Sequence, residues 1–330
     1  MLIMKNVAVI GAGITGITLA NLLQKKVNLT VYEKSRGVGG RMATRRAEPY
    51  QFNHGAQYFK IENKEFRDFL YPLMKNKIII PLETKHIEIF NKQVVKSIKM
   101  DNKKYYTAET KMNTVVKYLV NNNFFMKLLC KIEKTKKEHD KWFLIDSDKV
   151  SYGPYDWLFV TIPPYQAIEI LYNNFKFLDI IKKLKMRSCF SLMLGFDKIK
   201  EFDFDTALFL DEDVQWLSIR KKIIDDKEYN NLLINSSYNF AEQNINGSKD
   251  KISDHLIKQV SDILNCKLNN YEHKALHFWK YAMSKNSNNI GSLIDENLKV
   301  TVCGDWCMNG KVEGGFLSAQ DAVSKFLKYI

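Results

Sequence analysis

The sequence Val-Ala-Val-Ile-Gly-Ala-Gly-Ile-Thr-Gly occupies residues 7–16 and places a continuous apolar run directly before three spaced glycines. An unbroken apolar run of this kind is typical of a strand that is buried on both faces of a parallel sheet. Residues 14–26 then have the apolar spacing of a helix, and residues 28–32 form a second apolar run that ends at Glu33. This order predicts a β-α-β unit of the Rossmann type.

The three glycines give this turn the properties that a dinucleotide requires. Gly11 permits the tight turn, Gly13 lets the backbone approach a pyrophosphate, and Gly16 lets the helix pack closely on the strand. The helix that opens at Ile14 and Thr15 points free N–H groups and a positive dipole end toward the phosphates. The alternative is a glycine-rich turn without a ligand, because GxGxxG alone is weakly specific.

The combination of Glu33 with a glycine-rich segment after the second predicted strand favours FAD over NAD. Glu33 lies 22 residues after Gly11, where a carboxylate can accept hydrogen bonds from ribose hydroxyls. Gly39-Gly40-Arg41 begins six residues later, and a simple NAD-binding unit requires nothing there. The two glycines allow the chain to cross near the dinucleotide, and Arg41 can pair with the charge of its pyrophosphate.

Motifs along nearly the whole chain resemble those of one family. Residues 33–42, EKSRGVGGRM, look like the FAD-binding start of the flavin amine-oxidase superfamily. Residues 52–59, FNHGAQYF, closely resemble the loop that follows in renalase-like proteins. Later segments agree with this resemblance: TIPP at 161–164, WKYA at 279–282, CGD at 303–305 and VEGGFLS at 312–318. Residues 165–270 match only loosely.

The resemblance implies a noncovalently bound FAD and a set of residues around it. Three residues are candidates for catalysis: Trp279, His54 and Tyr58. The residues expected to contact the cofactor are Gly11, Gly13, Ile14, Thr15, Gly16, Glu33, Lys34, Gly40, Arg41, Met42, Ala56, Gln57, Tyr58, Ile132, Asp305, Glu313, Gly314 and Phe316.

The C-terminal motif can also be explained physically, without the resemblance. Asp305 follows the last predicted buried strand, where open α/β sheets place ligands, and it can accept a hydrogen bond from the ribityl chain. Gly314 and Gly315 would let the backbone approach, and a helix beginning near Phe316 would point its positive end toward the flavin. The alternative for Asp305 is a helix or turn cap.

Plainer interpretations also exist for the candidate catalytic residues. His54 stands alone in its loop, and a lone loop histidine usually has a structural role. Trp279 and Tyr281 would form an aromatic wall beside the flavin, or they simply follow the in-and-out alternation of a strand.

The expected fold class is α/β, with a Rossmann-type FAD-binding domain and an inserted mixed-sheet α+β substrate domain, as in amine oxidases and hydroxybenzoate hydroxylase. The nucleotide-type elements lie at both ends of the chain and near its middle. The expected FAD-binding domain is discontinuous and comprises 1–60, 105–164 and 282–330. The substrate domain comprises 61–104 and 165–281.

Composition and charge exclude several classes of protein. With 330 residues of which 45% are hydrophobic, the chain can build a core. The net charge of +13 would suit an anionic nucleotide, but a lysine-rich composition with solvated faces explains it more simply. No nucleic-acid partner is expected, because the basic patches lack interleaved aromatic residues.

Cysteine spacing and hydropathy argue against a disulfide framework, a metal site and a membrane span. The five cysteines are scattered and predict no disulfide framework. Cys303 and Cys307 have no second pair and no nearby histidine, so no metal site is expected. No apolar stretch of about 20 residues predicts a membrane span. The N-terminal apolar run resembles a strand rather than a signal peptide, so a cytoplasmic protein is expected.

The renalase-like resemblance implies an oxidase that takes hydride from abnormal dihydronicotinamide dinucleotide isomers onto flavin N5 and passes the electrons to dioxygen, giving hydrogen peroxide. Its partners would be a small-molecule substrate and dioxygen. Two alternatives stay open. One is an amine or small-metabolite oxidase of the wider superfamily, and the other is a noncatalytic FAD-bound scaffold or regulator. Oligomeric state is not predicted.

Overall fold

The β-α-β start is present in the computed structural model, which describes residues 4–100, 104–286 and 289–330. It consists of β1 (Asn6–Ile10), α1 (Ile14–Leu23) and β2 (Asn28–Tyr32), so the helix ends three residues earlier than predicted. Residues 7–10 are buried because β1 has a parallel neighbour on each side and covered faces above and below.

The remaining elements follow in chain order. The strands are β3 (Arg45–Ala47), β4 (Tyr50–Phe52), β5 (Phe59–Lys60), β6 (Ile79–Pro81), β7 (Thr84–Phe90), β8 (Gln93–Met100), β9 (Tyr105–Ala108), β10 (Phe125–Lys127), β11 (Ile132–Glu138), β12 (Lys141–Asp146), β13 (Ser151–Tyr155), β14 (Trp157–Val160), β15 (Met186–Phe196), β16 (Thr206–Phe209), β17 (Val214–Ile224), β18 (Lys227–Ser236), β19 (His273–Ser284), β20 (Leu293–Asp295) and β21 (Val300–Val302). The helices are α2 (Lys64–Lys75), α3 (Met112–Tyr118), α4 (Pro164–Ile170), α5 (Leu178–Lys183), α6 (Tyr238–Gln243), α7 (Lys249–Leu264) and α8 (Lys311–Phe326). Two short 3-10 turns span Gly40–Met42 and Asp305–Cys307.

A six-stranded sheet forms the Rossmann-like half, in the order β10-β2-β1-β14-β21-β20. Its strands run parallel except β20, which is antiparallel to β21. Alternate side chains of β1 enter opposite layers. Val7 and Val9 pack with α1 and α8, whereas Ala8 and Ile10 pack with α4 and the antiparallel β11-β12-β13 layer. This alternation explains why the whole strand is apolar.

A seven-stranded sheet forms the second half, in the order β19-β15-β18-β17-β16-β7-β8. One face carries an apolar layer, including Leu192, Leu217 and Ile234, that is buried with α6 and α7. On the opposite face, Ser191 of β15 stands directly beside His277 of β19. Because side chains alternate along a strand, Trp279 shares the face of His277. This polar and aromatic face contacts the loop of residues 53–58.

The strands of each sheet come from several separate stretches of the chain. The six-stranded sheet draws its strands from 6–32, 125–160 and 293–302, inside the three predicted FAD-domain segments. Strand β19 extends three residues, 282–284, into the predicted FAD-binding domain, and the small β5-β9-β6 sheet joins residues from both predicted domains. Residues 1–3, 101–103 and 287–288 of the predicted ranges lie outside the described residues. The exact boundaries therefore stay a prediction.

The closing helix corrects one expectation. It begins at Lys311 after Gly310, not near Phe316. Phe316 therefore lies in the second turn, and the positive end of the helix is at Gly310 and Lys311. Within residues 4–100, 104–286 and 289–330, no helix is both long and apolar enough to cross a bilayer.

Candidate functional site

The N-terminus of α1 forms an open cradle for an anion. Gly13 precedes the helix, no side chain caps it, and its first turn holds no acidic residue. A Cβ placed on Gly13 would meet no atom of the described residues within 4 Å, so the space beside this backbone is open. Gly11 has a φ of +107°, which suits glycine. A Cβ on Gly16 would lie 2.0 Å from the carbonyl oxygen of Gly11, so the helix packs here only because Gly16 has no side chain.

Glu33 holds the loops around this cradle. One carboxylate oxygen accepts the N–H of Ala12 at 2.9 Å, and the other accepts the N–H of Ser35 at 2.8 Å. Glu33 is buried, whereas the neighbouring Lys34 is exposed. Each carboxylate oxygen can accept a second hydrogen bond, so capacity for ribose hydroxyls is left. Ile132, another expected contact, is buried at the start of β11 beyond the end of β2.

The Gly39-Gly40 segment crosses directly over the cradle. The N–H of Gly39 donates to the carbonyl of Ala12 at 2.9 Å, and Gly39 pairs with Gly13 in an isolated parallel bridge. A Cβ on Gly40 would lie 3.4 Å from the Cα of Gly13. Met42 is buried in the core beneath this turn. The crossing places Arg41 between the cradle and the C-terminal segment.

Arg41 forms a bidentate ion pair with Asp305, although 264 residues separate them. Nη1 donates to Oδ2 of Asp305 at 3.0 Å, and Nη2 donates to Oδ1. Nη1 also lies 3.4 Å from the carbonyl oxygen of Ala282. The side chain of Arg41 is 31% exposed and that of Asp305 only 10%. The pair joins the N-terminal cofactor motif to the C-terminal one. The sequence predicted that both residues face the cofactor, and it did not predict that they contact each other.

The loop of residues 53–58 closes the site beside Arg41. The N–H of Ala56 donates to the carbonyl of Arg41 at 2.9 Å. A Cβ on Gly55 would lie 2.0 Å from that same oxygen, so this position needs glycine. The carbonyl of His54 accepts both the Trp279 indole N–H and the Ser191 hydroxyl, each at 2.9 Å. These bonds fix the loop to the polar face of the seven-stranded sheet.

Three rings meet where this loop touches β19. His54 lies 5.1 Å from Trp279 and 4.9 Å from His277 between ring centroids, and His277 lies 4.4 Å from Trp279. Burial lowers the pKa of His54 to about 4, and the neighbouring His277 and Arg45 add to that shift. Nδ1 of His54 has no hydrogen-bond partner among the described residues. His54 is therefore a neutral imidazole at pH 7.

The other predicted aromatic residues divide between two places. Tyr281 stacks on Tyr165 at 5.5 Å, away from the three-ring cluster, so Trp279 and Tyr281 contact different partners. Tyr58 packs on Trp216 at 5.7 Å, and the Gln57 side chain accepts the Trp216 indole N–H at 3.3 Å. Gln57 and Tyr58 thus face strand β17, which sequence reasoning did not connect with the site.

The C-terminal motif has a different geometry from the expected one. Glu313 accepts the N–H groups of Glu62 at 2.7 Å and Asn63 at 3.1 Å, so its carboxylate holds the turn before α2. A Cβ on Gly314 would lie 2.0 Å from the carbonyl oxygen of Met308, and one on Gly315 would lie 2.8 Å from Cγ2 of Ile14. These glycines let α8 pack closely against the segment that precedes it and against the start of α1.

Phe316 packs in the core rather than toward open space. Its ring lies 5.0 Å from Phe66 and 5.1 Å from Phe69 between centroids. Because Gly315 and Ile14 are close, α8 abuts the start of α1 and supports the cradle from behind. The expected contacts of Glu313, Gly314 and Phe316 with a cofactor stay predictions. The structure shows instead that these residues contact Met308, α2 and the turn before α2.

Sequence reasoning missed several residues of this region. His277 carried a usable signal, because it precedes Trp279 by two residues on a predicted strand and must share its face. Trp216, Thr107 and Arg220 carried none, since their contacts with Gln57 join positions at least 50 residues apart. Cys303 and Cys307 are buried, and burial raises the pKa of both thiols.

Taken together, these residues fit a bound dinucleotide. The uncapped helix start and the free volume beside Gly13 would receive a pyrophosphate. Glu33 would hold a ribose, and Arg41 and Asp305 lie on the far side of the same crossing. Among the described residues, no group of three or more His, Cys, Asp or Glu side chains could hold a metal ion.

Comparison with known proteins supports the fold. Residues 9–73 match the family described as an NAD(P)-binding Rossmann-like domain. A solved structure from Exiguobacterium sp. 255-15, provisionally assigned as a protoporphyrinogen oxidase, superposes with a TM-score of 0.77 at 10% sequence identity. The match covers 99% of this chain and 99% of that one. The predicted fold class is confirmed: a Rossmann-like domain is combined with a second domain built on a large mixed sheet.

Proposed function

We propose that this chain is an FAD-dependent oxidoreductase, and within that class an oxidase similar to renalase. One observation carries the proposal: the Gly39-Gly40-Arg41 segment crosses over the open cradle at Gly13 and meets Asp305. A simple NAD-binding unit has no need of a second crossing segment or of a distant acidic partner. The superposition on a protein provisionally assigned as an oxidase is consistent with the proposal of an oxidoreductase.

The residues near the crossing suit hydride transfer without a protein base. FAD would supply hydride acceptance at flavin N5 and reoxidation by dioxygen with release of hydrogen peroxide. A dihydronicotinamide isomer expels hydride and becomes an aromatic pyridinium, so no proton has to be removed from it. Neutral His54 adds no positive charge beside such a product. Trp279, held by its N–H bond to the His54 carbonyl, offers a fixed aromatic wall.

The direct test is anaerobic reduction of the purified protein, which should be yellow and should release FAD on denaturation. Bleaching of the flavin absorbance by isomeric dihydronicotinamide dinucleotides, but not by amines, supports the renalase-like activity. Bleaching by amines instead would move the assignment to an amine oxidase. Absence of bleaching with every donor would leave a noncatalytic flavoprotein, and a colourless protein that fails to bind added FAD would refute the whole proposal.

Arg41→Ala is expected to weaken FAD retention by roughly 10-fold or more. The change removes a guanidinium that can pair with phosphate, and it leaves the poorly exposed Asp305 carboxylate without its partner. Loss of a charged hydrogen bond of about 1.5–3 kcal/mol corresponds to this range. The measurement is FAD affinity by fluorescence titration of the deflavinated protein.

Arg36→Ala is the matched control, because Arg36 is exposed in the same loop. We expect its FAD affinity to match that of the unmodified protein. Equal affinities for the Arg41 and Arg36 variants would contradict the role given to Arg41.

A further inference from the structure

A groove of about 750 Å³ opens between the β5-β9-β6 sheet and strands β16 and β17. The loop that closes the candidate site supplies one of its walls through Gln57 and Tyr58. Thr107 of β9 and Trp216 and Arg220 of β17 complete the inner surface. This volume suits a small organic molecule. The lining residues include none of residues 11–16, so the groove is separate from the cradle at Gly13, although the loop of residues 53–58 borders both the groove and Arg41.

Arg220 is a partly buried cation without a carboxylate partner among the described residues. Its Nη2 donates to the hydroxyl of Thr107 at 3.1 Å and lies 3.5 Å from the carbonyl oxygen of Gln57. Burial lowers the pKa of its guanidinium, with no compensating charge. A desolvated cation without a counter-charge is costly, and an anion bound in the groove would offset that cost.

Carboxylates near the mouth of the groove do not neutralise Arg220. Glu201 pairs with Lys221 at 3.0 Å, and Asp205 accepts the backbone N–H of Lys85 at 2.8 Å. Glu83 and Glu109 also line the groove, and all four carboxylates belong to exposed residues. The exposed rim thus carries both signs of charge, because Lys200 and Lys221 stand among these carboxylates, whereas the charge farther inside is the guanidinium of Arg220.

Aromatic rings stand at the other end of the groove. Trp216 is flanked by Tyr58 at 5.7 Å and by the stacked ring of His86 at 5.3 Å. Trp216 and Arg220 are four residues apart on one face of β17, roughly 13 Å along the strand. Gln57 links the two ends, because its side chain bonds Trp216 and its carbonyl faces Arg220.

We propose that this groove binds a planar aromatic ligand that carries an oxyanion. The ring lies against Trp216 and Tyr58, and the oxyanion, a carboxylate or a phosphate, pairs with Arg220 through guanidinium N–H groups that the described protein atoms leave free. Binding itself does not depend on flavin chemistry. The further step, that such a ligand is the compound oxidised, rests on the proposed function.

The test is isothermal titration of the protein as purified with benzoate, phenyl phosphate and the neutral benzamide. We expect an oxyanion probe to bind and benzamide to bind at least 10-fold more weakly. A preference for benzoate over phenyl phosphate, or the reverse, identifies the oxyanion. Arg220→Met should weaken oxyanion binding by roughly 10- to 100-fold, and Arg220→Lys should restore part of it.

Lys222→Met is the control, because Lys222 is the next cation on the same face of β17 and points to the carbonyl of Pro49 outside the groove. Its oxyanion affinity should equal that of the unmodified protein. Equal binding of benzoate and benzamide, no binding of either oxyanion, or an equal loss in the Lys222 variant would each overturn the proposal.

Thermal unfolding curves accompany each variant, and Arg220→Lys keeps the test decisive if Arg220→Met fails to fold. FAD content is measured in the same samples. Arg220-dependent binding in a protein without FAD would support the groove and contradict the proposed function, so the two can fail separately.

Discussion

Gly13→Ala is expected to weaken dinucleotide binding by roughly 100-fold and to leave the protein folded. Gly13 has a φ of −76° and a ψ of −176°, an extended conformation that alanine adopts readily. In the part of the chain that the structure describes, the new Cβ would meet no protein atom within 4 Å. The new methyl group would instead occupy the space in which a pyrophosphate approaches the helix start. An overpacking cost of about 3 kcal/mol corresponds to a roughly 100-fold larger dissociation constant for FAD.

Gly16→Ala is the informative counterpart, because it is expected to affect folding. Its Cβ would lie 2.0 Å from the Gly11 carbonyl oxygen and 2.9 Å from Oγ1 of Thr161, and backbone cannot move aside cheaply. Alanine normally favours a helix interior by about 1 kcal/mol over glycine, but the clash reverses that preference. Thermal unfolding and FAD titration of both variants separate the effects. A Gly13 variant with undiminished FAD affinity would show that the cradle does not hold the cofactor.

Acidification from pH 7 to pH 4 is expected to reduce the free energy of unfolding by about 3 kcal/mol through His54 alone. The folded-state pKa of His54 is about 4, whereas the unfolded value is 6.5. Below pH 6.5 His54 therefore binds a proton in the unfolded chain but not in the folded chain, and the free energy of unfolding falls. The loss levels off below about pH 4, where both states are protonated. The pKa values of His86, His273 and His277 are also lowered by burial and act in the same direction.

Urea unfolding between pH 7 and pH 4 measures this effect, and two variants isolate it. His54→Asn should flatten the pH dependence by about the same 3 kcal/mol. His139→Asn should leave it unchanged, because His139 is exposed in a hairpin turn with a positive φ that asparagine tolerates. If the free energy of unfolding changed equally with pH in the unmodified protein and in the His54 variant, His54 would titrate freely in the folded state.

Local patterns in the chain were sufficient to predict the Rossmann-like half. The apolar run before Gly11 and the spacing of the three glycines are features of neighbouring residues, and together they predict a strand, a tight turn and a helix. Element ends were predicted less well. The closing helix begins at Lys311 because glycines at 314 and 315 allow the close approach of Met308 and α1, and such contacts cannot be read from spacing.

The assembly of the candidate site depended on contacts between distant residues. Arg41 and Asp305 are each recognisable in the sequence as members of a cofactor motif, yet their mutual ion pair follows from the crossing of Gly39 over Gly13 and from the position of β21 beside β14. The three-ring cluster likewise forms only because β15 and β19 are paired and both bond to the His54 carbonyl.

The sequence by itself therefore determined the β-α-β start, the fold class and the identity of the cradle glycines, because strand burial and glycine spacing are short-range properties. The tertiary structure alone decided the partner of Arg41, the neutral state of His54 and the groove around Arg220. Each of these depends on burial or on contacts across strand pairings, and a side chain acquires its electrostatic environment only when distant segments exclude water around it.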